Sequence, residues 1–442
     1  MTAKQAPELL YELLPQLGVA LERAYSDPRP IGKSAALPGI PDDGIGTSRL
    51  PELWQQIVDG STKLASPWMI GHMDTAPHPA AALTDALVSG LNNNLLFREL
   101  SPIASDIEEI LIAEFAERLG LPVATVGNFC SGGSLANLTA LFAACGGYTN
   151  LDRSDICIWC AVSAHTSIGK AASVLGIPPQ RVMRVAVDAA GRLDVVEVRN
   201  GLARNGAGLN IVVGVAGGTV TGAIDNLVEI GELCAQFSAW FHVDAVYGGA
   251  LMYSDRYRDG LNGIAAADSI ALGPQKWFYV PRLCALTLFP DRVRFESTLA
   301  TPMPYSAGAR AHRGTWGLQG SRRADAVTLW VLLQALGRRG CARLIDDAID
   351  LTHQFYDMLM LHPRSTPLHE PDLNVQVFRW GSPDRTGERM LHIQAELEAD
   401  GQAWLSISEW GGEYVLRAVL LNPGTRPSHL DALLASLQRI DP

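Results

Sequence analysis

The chain of 442 residues contains no uncharged apolar run long enough to cross a bilayer, and its opening Met1-Thr2-Ala3-Lys4-Gln5-Ala6-Pro7-Glu8 lacks the apolar core of a secretory signal. A soluble, cytoplasmic protein is expected. Positive charge is scarce: 35 Lys and Arg against 46 Asp and Glu give a formal net charge of -11, which attracts neither nucleic acid nor anionic lipid. Seven cysteines, Cys130, Cys145, Cys157, Cys160, Cys234, Cys284 and Cys341, are odd in number and lack the spacing of a disulfide framework, so a reducing compartment is expected. Cys157-Ile158-Trp159-Cys160 has redox-motif spacing, but it lies in an apolar run without a second ligand pair. Both thiols read as buried strand cysteines, and no metal is expected. No internal repeat, Walker lysine motif or Gly-x-Gly-x-x-Gly occurs. A small-molecule ligand is the class that remains.

What the chain does have is burial capacity: 48% hydrophobic residues at this length predict two or three subdomains. Residues 1–70 hold the apolar-periodic Leu9-Leu10-Tyr11-Glu12-Leu13-Leu14 and a Pro/Gly-rich passage over 28–51, an arm that buries its face only against something else. Helical periodicity over 80–95 leads to Ser101-Pro102, and Ser105-Asp106-Ile107-Glu108-Glu109 reads as the acidic first turn of a second helix. From 123 to 289, β-prone runs at 156–161, 209–215, 240–243, 269–272 and 285–289 alternate with helical patterns near Ser134, Ile168 and Leu227. The alternation predicts an α/β fold with a mostly parallel sheet covered on both faces, and ligands at the carboxyl ends of its strands. This large domain is drawn at 71–325. Residues 326–442 predict a small α+β domain, with helices over 325–337 and 341–361, strands at 373–378, 403–407 and 414–421, and a closing helix from Ser428.

Two segments carry groups that belong together chemically. Asp244 ends the apolar Trp240-Phe241-His242-Val243, where a carboxylate is costly unless it is paired or hydrogen-bonded. Lys276, in Gly273-Pro274-Gln275-Lys276-Trp277, follows a β-prone run, so its amine is expected to project from a strand end. Pyridoxal phosphate chemistry uses such a pair: a carboxylate on the pyridinium nitrogen, and a lysine amine, kept neutral by desolvation, on the aldehyde. Taken singly, Lys276 reads as a snorkelling surface lysine and Asp244 as a loop cap.

Three further turns bear on that pair. Cys130-Ser131-Gly132-Gly133-Ser134 feeds a helix, so Gly133 and Ser134 offer either a phosphate seat or an ordinary helix start. His165 follows a strand and either lies flat on a bound aromatic ring or caps the next helix. Gly218-Thr219-Val220-Thr221-Gly222 places Thr219 where its hydroxyl reaches a phosphate, a ring substituent or only the turn backbone.

In this order and spacing the segments resemble the group II pyridoxal-phosphate-dependent amino acid decarboxylases, which include the glutamate, aspartate, cysteine-sulfinate and aromatic amino acid decarboxylases. The likeness runs from about Gly71 to Leu433. Gly71-His72-Met73, Asn128-Phe129-Cys130-Ser131-Gly132-Gly133, the His165 and Asp244 segments and Gly320-Ser321-Arg322-Arg323 look most like the bacterial branch acting on aspartate or glutamate. The resemblance implies a fold-type I transferase architecture with a seven-stranded sheet, and a homodimer with active sites at the subunit interface. It implies that Lys276 is the Schiff-base lysine, that Asp244 pairs with the pyridine nitrogen and that His165 stacks on the ring. It also implies that Gly133, Ser134, Thr219 and Gln275 face the cofactor, and that Arg417, in Tyr414-Val415-Leu416-Arg417-Ala418-Val419, faces the substrate with His72. An ordinary strand-edge arginine is the competing reading of Arg417. The implied reaction is decarboxylation of an L-amino acid, an acidic one favoured, through an external aldimine and a quinonoid protonated at Cα.

Two departures qualify the likeness. Gln275 stands where the family has a histidine before the lysine, and a carboxamide hydrogen-bonds but does not shuttle a proton at neutral pH. In the loop before Gly320, where many relatives place a proton-donating tyrosine, this chain offers Tyr305, with His312, Arg313 and Trp316 nearer the Gly-Ser-Arg. Two alternatives follow: decarboxylation-dependent transamination or oxidative deamination on the same scaffold, and a non-catalytic binding or regulatory protein.

Overall fold

Apolar runs rich in β-branched residues build a seven-stranded sheet: β1 (Val126–Cys130), β2 (Ile156–Ala161), β3 (Val182–Val185), β4 (Leu209–Val215), β5 (Trp240–Ala245), β6 (Ser269–Leu272) and β7 (Ala285–Phe289). The computed structural model describes residues 5–32, 36–147, 152–205, 208–282, 284–300 and 312–442. Strand order is β1-β7-β6-β5-β4-β2-β3. Neighbours from β6 to β3 are parallel, whereas β7 is antiparallel to both β6 and β1. β1 therefore points the same way as the parallel strands, and six strands present their carboxyl ends at one edge. Every residue of β1, β2, β5, β6 and β7 is buried, as a sheet covered on both faces requires. This is the fold-type I α/β architecture expected from the sequence.

Helix Gly133–Ala144 lies against β1, β5, β6 and β7, and its run of alanines permits that close seating. The helix expected to open at Ser105 instead spans Pro102–Arg118. Pro102 at the first helical position has its φ pre-set and no amide to leave orphaned, so the start falls one turn earlier. Asp106, Glu108 and Glu109 are consequently not first-turn acids. Glu108 is fully buried and takes Arg322 in a bidentate pair, with N···O distances of 2.8 and 3.1 Å. Arg322 also donates to the Phe129 carbonyl at 2.9 Å, fastening the chain after residue 312 to β1.

The described residues form two compact units. One comprises Pro77–Tyr356 with Leu368–Gln376 and holds the seven-stranded sheet; the other comprises the N-terminal residues through Ala76, Asp357–Pro367 and Val377–Pro442. In the latter, β8 (Ser365–Pro367), β9 (Val375–Trp380), β10 (Ser406–Trp410) and β11 (Glu413–Val419) form a sheet of order β10-β11-β9-β8 beside helices Glu388–Asp400 and Pro427–Ile440. N-terminal residues are stitched into this unit by backbone bonds: Val419 N donates to Ile70 O at 2.6 Å and Trp404 N to Trp68 O at 2.9 Å. Helix Asp325–Leu361 is broken at Gly337, whose φ of 64° accounts for the two helical segments seen in the sequence pattern. Among the described residues, no helix is long and apolar enough to cross a membrane.

Arg322→Met removes the bidentate partner of Glu108 and leaves only Arg313, whose Nε lies 3.8 Å from the carboxylate. The expected loss is about 3–5 kcal/mol, read as a lower urea midpoint; a loss below about 1 kcal/mol would class the pair with exposed ones.

Candidate active site

The segments singled out in the sequence leave the sheet at its common carboxyl edge. β1 leads through Gly132, φ 100°, into helix Gly133–Ala144, and β2 leads to His165 and helix Thr166–Val174. β4 leads to the turn over 217–222, where Thr219 is exposed, and Asp244 lies in the last turn of pleat of β5. β6 leads through Gly273 to the one-turn helix Pro274–Trp277 that carries Lys276. Because β7 returns antiparallel to β6, this connection stays at the edge instead of crossing a face.

Asp244 is buried, and its Oδ2 accepts from Asn137 Nδ2 at 2.9 Å. The other Asn137 amide hydrogen goes to Ser167 Oγ at 2.9 Å, and Ser167 Oγ lies 2.8 Å from His165 Nδ1. Asn137 Oδ1 lies 3.1 Å from His242 Nε2, whose ring Nδ1 is 3.0 Å from Ser269 Oγ; Trp240 Nε1 donates to that same hydroxyl at 2.9 Å. His242 is fully buried, and burial pushes its pKa down to about 4 despite the opposing charge of Asp244. It is therefore neutral at physiological pH. Asn137, Ser167, His242 and Ser269 were missed by sequence reasoning; the available signals were a carboxamide on a largely apolar helix and a His inside an apolar strand. His165 also caps its helix, accepting the Ser167 amide at Nδ1 (3.2 Å), so its capping role is real.

Val246, two residues after Asp244, is the point where three of the connections meet. A Cβ on Gly133 would lie 2.7 Å from its side chain, and one on Gly273 would lie 2.4 Å from its carbonyl oxygen. Only glycine permits both approaches. The first-turn amides of Gly133 and Ser134 have no intrahelical acceptor, as at any helix start, and Ser131 beside them is braced by Gln319 through bonds of 3.2 and 3.1 Å. Lys276 and Gln275 are half-buried, and the Gln275 Oε1 is buried without a hydrogen-bond partner. Trp277 is fully buried against Tyr247, ring centroids 5.5 Å apart.

Arg417 and His72 belong to the other unit. Arg417 is buried on β11 and donates from Nη1 to Gly71 O at 2.9 Å and Ser406 Oγ at 3.0 Å. His72 is exposed and packs on Trp404 at 4.3 Å. Tyr305 lies outside the described residues. Of the nearby alternatives, His312 and Arg313 are buried, and Arg313 pairs with Glu109 at 3.1 Å with its guanidinium over Trp316, which is a packing role. Cys157 and Cys160 are buried in β2, and burial raises the Cys160 thiol to about 11, far from the reactive thiolate form. No group of residues suited to a metal ion occurs among the described residues.

The profile described as pyridoxal-dependent decarboxylase conserved domain matches residues 48–380. The chain belongs to this family. It is a pyridoxal-phosphate-dependent amino acid decarboxylase, a lyase. It is 31% identical over 411 residues to the L-2,4-diaminobutyrate decarboxylase of Rhizobium meliloti (strain 1021), covering 90% of this chain and 83% of that one. It is 29% identical over 414 residues to the aspartate 1-decarboxylase of Aliivibrio fischeri, covering 85% and 75%. The fold superposes on the crystal structure of mouse CSAD with a TM-score of 0.91, at 23% identity and 99% coverage of both chains. The decarboxylase presents groups that fit its cofactor: amides at a helix start for the phosphate, a glycine-lined approach, a buried carboxylate at one strand end and a lysine beyond the next.

Burial of neutral His242 makes folding sensitive to acid. Its folded pKa lies below the ordinary 6.5, so the stability it contributes is complete above 6.5 and is lost as the pH falls toward about 4. Across that window wild type should lose up to about 1.4 kcal/mol per pH unit more than His242→Gln, measured by urea unfolding; parallel slopes would show that His242 takes no proton on unfolding. Gly133→Val should weaken pyridoxal phosphate binding by about tenfold or more, because its Cβ would lie 2.7 Å from Val246. Titration of the apo-protein reads this, and unchanged affinity would place the seat elsewhere.

Proposed function

We propose that the decarboxylase acts on an L-amino acid with a carboxylate side chain, using Lys276, Asp244 and His165 as its working groups. The observation that carries the reading is the hydrogen-bond chain running from buried Asp244 through buried Asn137 and Ser167 to exposed His165, with steps of 2.9, 2.9 and 2.8 Å, at the edge where the Lys276 helix also lies. Bound pyridoxal phosphate supplies a conjugated ring that accepts the electron pair left when carbon dioxide departs. Lys276 provides the amine for the aldehyde carbon. Asp244 presents a carboxylate to the ring nitrogen and favours its protonated form. His165 covers a ring face, while Gly133, Ser134 and Thr219 address the phosphate side. The Gln275 carboxamide cannot give up a proton at neutral pH, so Cα protonation falls to another group, for which Tyr305 is the candidate.

The acidic preference is supported by likeness to an aspartate 1-decarboxylase and by the buried Arg417 guanidinium, which is suited to a carboxylate and donates to the carbonyl of Gly71, the residue before His72. Screening aspartate, glutamate, 2,4-diaminobutyrate and the aromatic amino acids, with products identified by mass spectrometry, tests this. An acidic amino acid should give amine and carbon dioxide in equal amounts, and Arg417→Met should raise KM about tenfold or more with a smaller fall in kcat. Turnover confined to diaminobutyrate or aromatic substrates would overturn the acidic preference. Aldehyde with ammonia would point to the oxidative alternative that Gln275 leaves open.

The working form is proposed to be a homodimer in the cytoplasm. Leu83, Leu87 and Leu91 recur every fourth residue on helix Pro79–Leu91 and are 66%, 59% and 58% exposed, a stripe suited to burial by a second copy. Seven free, buried thiols fit a reducing compartment. Sedimentation should find a dimer that Leu83→Glu with Leu87→Glu dissociates; monomeric wild type would sink this part of the reading.

A further inference from the structure

The buried polar chain around Asn137 has a direction that its own chemistry dictates. The Trp240 indole is a donor only, so Ser269 Oγ accepts from it at 2.9 Å; with the far end of the chain fixed by the Asp244 carboxylate, the Ser269 hydrogen goes to His242 Nδ1 at 3.0 Å. Neutral His242 then carries its proton on Nε2 and donates to Asn137 Oδ1 at 3.1 Å. This orients the carboxamide: its two amide hydrogens point to Asp244 Oδ2 and Ser167 Oγ, each at 2.9 Å. Ser167, having accepted, donates to His165 Nδ1 at 2.8 Å, and the Ser167 backbone amide at 3.2 Å supports the same assignment. In its neutral form His165 is thereby left with its proton on Nε2. The polarity is fixed at the Asp244 end, because a carboxylate cannot donate to the Asn137 oxygen; although His242 Nδ1 also lies 3.2 Å from the Ser269 carbonyl oxygen, a proton placed there would leave Nε2 and Asn137 Oδ1 facing each other as two acceptors.

We propose that Asn137 and His242 are positioning residues for the decarboxylation reaction: through one polarised chain they set both the orientation of the Asp244 carboxylate and the tautomer of His165. Neither needs to touch substrate. Asn137 is 1% exposed and His242 0%, so both act through the groups they hold. Two side chains that work on different parts of one ring are thus aligned by a single carboxamide, and a rotation of that carboxamide would misalign both together.

The inference rests on the assignment of Asp244 and His165 to the cofactor ring, and its test separates the two. Apo-protein is titrated with pyridoxal phosphate, following the visible band of the bound form, for wild type, Asn137→Ala, Asp244→Ala and the double variant, with apo melting temperatures recorded alongside. Asn137→Ala should raise Kd about tenfold on the wild-type background but less than about twofold on Asp244→Ala, the non-additivity expected of groups in one chain. Equal factors on both backgrounds, or no loss on either, overturns the inference while leaving the assignment standing. An unchanged Kd for Asp244→Ala overturns the assignment and the inference together. Ser167→Ala, which removes a single oxygen, supplies a second arm if Asn137→Ala does not fold. It should lower kcat severalfold with Kd and apo melting temperature unaltered, and should lower it no further on His165→Gln. An undiminished kcat, or an equal drop on His165→Gln, counts against the relay.

Discussion

A carboxylate buried among apolar strands has to be answered by donors, and the organisation of this site follows from how Asp244 is answered. Its partner is not a cation but the Asn137 carboxamide at 2.9 Å. A neutral donor satisfies the oxygen and leaves the negative charge available to whatever approaches the strand end, whereas a salt bridge would have spent that charge inside the protein. The structure uses a salt bridge where it fastens helix Pro102–Arg118: buried Glu108 is answered by Arg322 at 2.8 Å, with Arg313 at 3.8 Å.

The sheet decides where this arrangement can work. Six strands share a direction, so the connections after β1, β2, β4, β5 and β6 emerge together, and the reversal of β7 keeps the Lys276 segment among them. Convergence of that many loops is a crowding problem. Gly133 and Gly273 resolve it around Val246, where any Cβ would fall inside contact distance. The same crowding brings the start of helix Gly133–Ala144 close to the end of β5.

The second unit follows a different logic. Its strands pair with N-terminal residues that share no sequence neighbourhood with them, and buried Arg417 spends donors on Gly71 O and Ser406 Oγ, holding the segment that precedes His72. An arginine so placed has its side-chain freedom already spent on the fold, since its guanidinium is held by two fixed acceptors.

Much of the large unit was legible in the amino-acid order. The strands at Ile156–Ala161, Leu209–Val215, Ser269–Leu272 and Ala285–Phe289 fell where apolar β-branched runs predicted, because burial on both faces demands such runs, and Lys276 and Asp244 stood out as charges costly at strand ends. Less legible were the start at Pro102, where one proline outweighed an acidic turn further on, and the burial of Glu108, since a glutamate in an acidic helix segment reads as solvated until Arg322, 214 positions later, is brought to it. The sequence by itself determined which chemistry the chain carries, since side-chain identity and spacing are local properties. Only the tertiary structure decided that Asn137, Ser167 and His242 serve it, because hydrogen bonds among distant residues exist only after the sheet has set their donors and acceptors face to face.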